Sequence, residues 1–113
     1  MSGLTTHVLD LALGRPARGV GVRLDRQSPI GEWAKVADRV TDDDGRVKDF
    51  LGGAALQTGR YLMTFATGAF FMARGEQSFH PEVLVVFEVI DPAQHFHVPL
   101  LLSAFGYSTY RGS

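Results

Sequence analysis

The sequence predicts an all-β sandwich of two sheets with one short helix. Apolar and polar residues alternate over residues 20–25, with the period of two that marks a strand. Several other short segments are rich in β-branched and aromatic residues, and clusters of Gly, Pro or Asp separate most of them. Short strands divided by turn residues are typical of a sandwich. A chain of 113 residues is long enough for one core, so residues 1–113 are predicted to form a single domain.

The predicted elements follow one another along the whole chain. A helix is expected over residues 68–77, which contain a Phe-Phe-Met-Ala run and end before a Ser-Phe-His-Pro stretch. Termini usually fray, but residues 105–113 are aromatic and β-branched and therefore predict a docked final strand. The other predicted strands cover residues 4–10, 20–25, 32–40, 61–67, 82–90 and 94–102.

Two of these strands carry more apolar residues than one core requires. Residues 83–90 are apolar on both faces, although the outer face of a single sandwich should be wet. Residues 98–102 show the same excess. Self-association explains this better than an aggregation-prone monomer.

The composition narrows the classes of function. Eleven Lys plus Arg against twelve Asp plus Glu give a net charge of −1, so no general field favours nucleic acid or an anionic membrane. The absence of cysteine excludes disulfides, thiolate nucleophiles and Cys-ligated zinc. We see no apolar stretch of about 20 residues and no signal peptide, so the sequence predicts a cytoplasmic protein without a membrane segment.

Two histidines stand two residues apart in a predicted strand. His95 and His97 therefore project to one face, while Phe96 projects to the other. They are candidate site residues, but ordinary surface or interface histidines fit the spacing equally well. A His-x-His pair with His7 as third ligand would also suit zinc, and this alternative stays open here.

Other candidate residues are His7, Arg46 and the C-terminal segment. His7 alternates with Thr6 and Val8, which are assigned to the core, so it is expected to face outward or into an interface. Arg46 directly follows a tight acidic turn. Taken singly, both also fit ordinary solvated surface positions. At the end of the chain, the carboxylate of Ser113 is expected near Arg111 or another fixed cation.

Together these motifs resemble the 5-hydroxyisourate hydrolase family, which is related to transthyretin. The resemblance extends over essentially the whole chain, and the C-terminal Tyr-Arg-Gly-Ser is its most specific motif because it separates the hydrolases from transthyretin itself, a thyroid-hormone carrier. Phe96 departs from the family pattern, in which Tyr is common between the two histidines. The motifs lie at residues 4–10, 14–17, 41–46, 95–103 and 110–113.

The resemblance implies a transthyretin-like fold and an enzyme of urate degradation. The family reaction is hydrolysis of 5-hydroxyisourate to 2-oxo-4-hydroxy-4-carboxy-5-ureidoimidazoline, without a cofactor or metal. A homotetramer is implied, with its sites in a channel at the dimer–dimer interface. The implied catalytic residues are His7, Arg46, His97 and Ser113, and the implied substrate-binding residues are Tyr110, Arg111, Gly112 and His95.

Opening a cyclic amide with water requires a base, donors for the carbonyl oxygen and an acid for the leaving nitrogen. We assign His7 as the water-activating base, and Arg46 and Arg111 as planar donors that orient the substrate. Ser113 is expected to hydrogen-bond water or substrate rather than act as a nucleophile, since no Ser-His-acid arrangement is evident. The competing hypotheses are a transthyretin-like carrier, a zinc hydrolase and an immunoglobulin-like interaction domain.

Overall fold

A computed structural model describes residues 3–112 as two packed β-sheets with one short helix. This agrees with the all-β sandwich predicted from the sequence. Ser113 and the first two residues lie outside the described part. The strands are β1 (Gly3–Asp10), β2 (Arg15–Pro16), β3 (Gly21–Gln27), β4 (Trp33–Val40), β5 (Arg46–Val47), β6 (Gly59–Phe65), β7 (Val83–Val89), β8 (His95–Leu102) and β9 (Tyr107–Thr109), and helix α1 spans Thr67–Ala73.

The first sheet positions the candidate residues. Its strand order is β2-β1-β8-β9, and β5 pairs with β1 on the same side as β2. Strands β1 and β8 run parallel, whereas the other pairs in this sheet are antiparallel. The second sheet has the order β4-β3-β6-β7 and is antiparallel throughout.

The core lies between the sheets and follows the alternation in the sequence. In β1, Leu4, Thr6 and Val8 are buried while the residues between them are partly exposed. Strand β3 buries Val22 and Leu24 in the same way. Other fully buried large side chains include Tyr61, Phe65, Phe71, Leu100 and Leu102.

Helix α1 is shorter than predicted. It ends at Ala73 rather than at residue 77, because Gly75 takes a left-handed φ of 71° and the N–H of Glu76 turns back to donate to the carbonyl of Phe71 at 2.9 Å. This is the pattern in which a glycine terminates a helix. A partly buried ion pair then fixes the segment after the helix, since Arg74 Nη1 lies 2.6 Å from Asp10 Oδ2 at the end of β1.

Candidate active site

The outer face of β5, β1 and β8 brings four of the predicted site residues together. The register pairs His7 with Arg46 across β1 and β5, and Thr5 with His97 across β1 and β8. His95 lies one step further along the same face, opposite Gly3. Because every second residue of a strand points to the same side, burial of the core residues between them directs these side chains outward.

The acidic turn fixes Arg46 beside His7. The carboxylate of Asp42 accepts the backbone N–H groups of Asp44 and Arg46, each at 2.9 Å. Gly45 has a φ of 73°, and a Cβ there would lie only 2.5 Å from the carbonyl oxygen of Val8. The Asp-Gly sequence therefore allows the turn to pack directly on β1.

A threonine between the two histidines connects their rings. The Oγ1 of Thr5 lies 2.8 Å from Nδ1 of His97 and 3.1 Å from Nε2 of His95. Thr5 was not among the residues predicted from the sequence, although it stands two residues before His7 and alternation places both on one face.

The C-terminal segment closes against His97. The N–H of Gly112 donates to the carbonyl of His97 at 2.8 Å. A Cβ on Gly112 would lie 2.5 Å from Cδ2 of the His97 ring. This glycine thus lets the backbone pass against the imidazole, which gives a physical reason for the predicted importance of Gly112.

A cavity of about 270 Å³ opens on this face. None of the described residues that line it is an aspartate or glutamate, whereas Arg46 and Lys48 bring cations to its wall. Such a site favours a planar, electron-rich or anionic ligand. Its lining comprises Thr5, Thr6, Arg46, Val47, Lys48, His95 and His97.

Burial and the nearby arginine lower the pKa of both central histidines and so favour their neutral forms. Desolvation and then the charge of Arg46 lower the pKa of His7, although the Asp44 backbone and the Asp42 and Asp44 carboxylates oppose this. Desolvation, Arg46 and the neighbouring histidines lower the pKa of His97 as well, although a hydrogen bond to the Thr5 backbone opposes this. In addition, Nε2 of His7 is buried and has no hydrogen-bond partner within residues 3–112. A neutral imidazole with a free nitrogen can accept a proton from water.

Tyr110 and Arg111 lie elsewhere within the single chain. They line a separate cavity of about 320 Å³ between β7 and β8, together with Phe96 and Val98. The Arg111 guanidinium stacks 4.2 Å from the Phe96 ring centre, and its Nη2 donates to Gln94 Oε1 at 3.0 Å. Arg111 therefore fastens the C-terminal segment to β8 from the side opposite His97. Its predicted contact with substrate stays a prediction, and the expected role of Ser113 lies outside the described residues.

The described residues give no geometric support to the zinc alternative. Within residues 3–112, no three side chains from His, Asp and Glu are grouped so that they could hold a metal ion. Thr5 instead occupies the position between His95 and His97. In the same part of the chain, no helix is long and apolar enough to cross a membrane.

Comparison with known proteins agrees with the motifs and the geometry. The model of the HIUase/Transthyretin family matches residues 4–112. The chain belongs to the HIUase/Transthyretin family. The resemblance inferred from the sequence is thereby confirmed.

Members of this family with different functions share the fold closely. The chain is 48% identical to 5-hydroxyisourate hydrolase of Caulobacter vibrioides, with all of both chains covered. The structure of Klebsiella pneumoniae 5-hydroxyisourate hydrolase is 40% identical with a TM-score of 0.87, covering 99% of this chain and all of that one. Sea bream transthyretin in complex with thyroxine has a TM-score of 0.91 at 30% identity, covering 96% of this chain and 93% of that one. Since backbone similarity is high for both, the side chains of the site must discriminate between hydrolase and carrier.

Proposed function

We propose that this chain hydrolyses 5-hydroxyisourate to 2-oxo-4-hydroxy-4-carboxy-5-ureidoimidazoline in urate degradation. The observation that carries the proposal is the meeting of His7, Arg46 and His97 on one face, where Arg46 is paired in register with His7 and the buried Nε2 of His7 has no hydrogen-bond partner within residues 3–112. The identity to named 5-hydroxyisourate hydrolases supports it.

The first step activates water. Neutral His7 accepts a proton from water through Nε2, and the water oxygen forms a bond to the amide carbonyl carbon of the substrate ring. The carbonyl oxygen gains negative charge as this bond forms. Arg46 stands across the strand pair from His7, where its planar donors can stabilise that oxygen.

The second step opens the ring. The carbonyl carbon–nitrogen bond breaks, the nitrogen leaves with a proton from Nε2 of His97, and the carbonyl carbon becomes that of the new carboxylic acid. His97 then regains a proton and His7 releases the one taken from water, so that both imidazoles are neutral again. Proton transfer to the leaving nitrogen is needed because an amide anion is a poor leaving group. His95, Tyr110, Gly112, Arg111 and Ser113 are proposed to bind and orient the substrate, with no metal or cofactor taking part.

We also propose a homotetramer whose sites lie at the dimer–dimer interface. The outer face of β5, β1 and β8, here called the site face, also carries Leu9 and Leu101. These two residues are partly exposed and are paired with each other in register, next to His7. Strand β7 is an edge strand that exposes Leu84 and Val86. Apolar surface and an unpaired strand edge both favour association with further copies.

The decisive experiment follows the ultraviolet absorbance of freshly generated 5-hydroxyisourate with the purified protein. Decay well above the spontaneous rate, unchanged after chelator treatment, is expected. Saturable thyroxine binding with no acceleration of decay would instead support the carrier, and acceleration lost on chelation would support the zinc hydrolase.

A further inference from the structure

The hydroxyl of Thr5 has one proton and two imidazole neighbours. A threonine hydroxyl can donate one hydrogen bond and accept two. Nδ1 of His97 and Nε2 of His95 cannot both be unprotonated acceptors, because the single proton can serve only one of them. The proton positions on the two rings are therefore linked through Thr5.

Both contacts, 2.8 Å to His97 Nδ1 and 3.1 Å to His95 Nε2, lie within hydrogen-bond range, and their directions depend on the tautomers. The proposed function requires a proton on Nε2 of His97, so Nδ1 accepts from the Thr5 hydroxyl and Nε2 of His95 donates to Thr5 Oγ1. In this arrangement, neutral His97 carries its proton on Nε2. The ring then presents a donor to the site rather than a lone pair.

We propose that Thr5 is a positioning residue that holds His97 in the Nε2–H tautomer and connects it to solvent through His95. The inference rests on the proposed function, in which His97 protonates the leaving nitrogen. Thr5 itself does not touch the reacting atoms.

The connection supplies a balanced path for the proton. As His97 Nε2 gives its proton to the leaving nitrogen, the Thr5 hydroxyl proton passes to His97 Nδ1, and the His95 Nε2 proton passes to Thr5 Oγ1. His95 is exposed, so its Nδ1 can take a proton from solvent. All three groups end neutral, and one proton has moved from solvent to the leaving nitrogen.

The surroundings of His97 explain why such a path is useful. Desolvation disfavours a positively charged His97, and so do Arg46 on β5, His7 on β1 and His95 on β8, although a hydrogen bond to the Thr5 backbone opposes them. Lys48 lines the same cavity. The backbone of Gly112 covers another side of the ring. A neutral His97 that is reprotonated on Nδ1 while it loses the proton on Nε2 avoids both imidazolium and imidazolate.

The test measures the His97 tautomer and the turnover of three proteins. Long-range nitrogen–proton NMR spectra, assigned with a His97→Gln variant, are expected to show the Nε2–H tautomer in the wild type. In Thr5→Val this preference should be lost, with kcat lowered by about 10²-fold, the lower range for general acid catalysis, and KM little changed. Thr5→Ser, which keeps the hydroxyl, should show the Nε2–H tautomer and a kcat close to that of the wild type. Thr64→Val on β6 of the second sheet is the control and should change neither.

Each result of these measurements either supports or overturns the proposed role of Thr5. An Nδ1–H tautomer in the wild type would overturn the proposal without any variant, so a misfolded Thr5→Val protein would not prevent the test. An unchanged tautomer in folded Thr5→Val, or failure of Thr5→Ser to restore the wild-type values, would also overturn it. If the wild type does not turn over 5-hydroxyisourate at all, the proposed function fails, whereas the NMR measurement still tests the tautomer.

Discussion

Gly112 donates its N–H to the carbonyl of His97 at 2.8 Å, so close that a side chain on Gly112 would collide with the imidazole. This contact couples the C-terminal segment to the site.

Gly112→Ala should therefore displace the His97 ring. We expect kcat to fall by at least about 10-fold, since a small misplacement of a catalytic group costs much of its effect. Gly106→Ala is the matched control in the same segment, because its Cβ would meet only Ser103 Oγ at 3.9 Å. Equal activity of the two variants in the hydrolysis assay would show that the contact has no role.

Arg46→Ala should reduce turnover by about 10²-fold or more, the scale for loss of one oxyanion donor. The residue is exposed on the sheet face and its side chain packs in no core, so the fold should persist. Arg60→Ala, which removes an exposed arginine from β6 of the second sheet, provides the control for charge. A folded Arg46→Ala protein with wild-type kcat would remove Arg46 from the mechanism.

The pH dependence follows from the lowered pKa of His7. The base must be neutral, and its pKa lies below the usual value of about 6.5, so kcat/KM should decline only at pH values below that. Desolvation is the first cause and Arg46 the second, so Arg46→Leu should move the acidic limb to higher pH. The substrate ionises in the same way in both assays, so comparing the pH profiles of wild type and Arg46→Leu removes its contribution. A shift to lower pH, or none, would contradict the electrostatic role of Arg46.

The Asp10–Arg74 pair should affect stability and not catalysis. Burial raises the pKa of Asp10, but hydrogen bonds from Arg74, Leu13 and Ala12 and the Arg74 charge outweigh it, so the pKa is below its usual value. Arg74→Met should lower the free energy of unfolding by about 2 kcal/mol at pH 7.

The effect of Arg74→Met has a defined pH window. A lowered folded-state pKa gives stability that is present above the unfolded value of 3.8 and is lost as Asp10 is protonated. The difference between wild type and Arg74→Met in urea unfolding should therefore shrink below about pH 4. Lys35→Met, which breaks an exposed ion pair with Asp38, should show no measurable change. An Arg74→Met effect that persists at low pH would contradict this explanation.

Leu101→Lys should disrupt the proposed tetramer by placing a charge on the partly exposed site face. Light scattering should give about four times 12.3 kDa for the wild type and a smaller mass for the variant. Val40→Lys changes a residue that is 65% exposed on edge strand β4 of the other sheet and should leave the mass unchanged. A tetrameric Leu101→Lys protein, or a monomeric wild type, would argue against this interface.

Much of the fold was predictable because alternation is a local signal. Composition and turn residues identified most of the seven longer strands or strand segments, and alternation identified the strand over residues 20–25 and the inward residues of β1 and β3. It missed β2 and β5, which have two residues each, because so short a segment has no period. The predicted helix extended too far, because the left-handed turn at Gly75 that ends it depends on backbone conformation.

The site was predictable in part. Alternation and the family motifs identified His7, Arg46, His95 and His97, but local sequence does not contain the register that pairs His7 with Arg46 or Thr5 with His97. Thr5 was overlooked because a strand threonine has no distinctive signal until its neighbours are known. Nor could spacing place the Arg111 guanidinium over Phe96, since that contact depends on the three-dimensional path of the C-terminal segment.

The face around His7 is proposed to hydrolyse 5-hydroxyisourate. The most direct test compares the decay rate of this compound with wild type, His7→Ala and His80→Ala; His80 packs against Phe79 and Tyr107, outside the site. We predict fast decay with wild type and His80→Ala, and a rate close to the spontaneous one with His7→Ala. A folded His7→Ala protein as active as His80→Ala would show that His7 is not the base, and a wild type that does not accelerate decay would show that the protein is not this hydrolase.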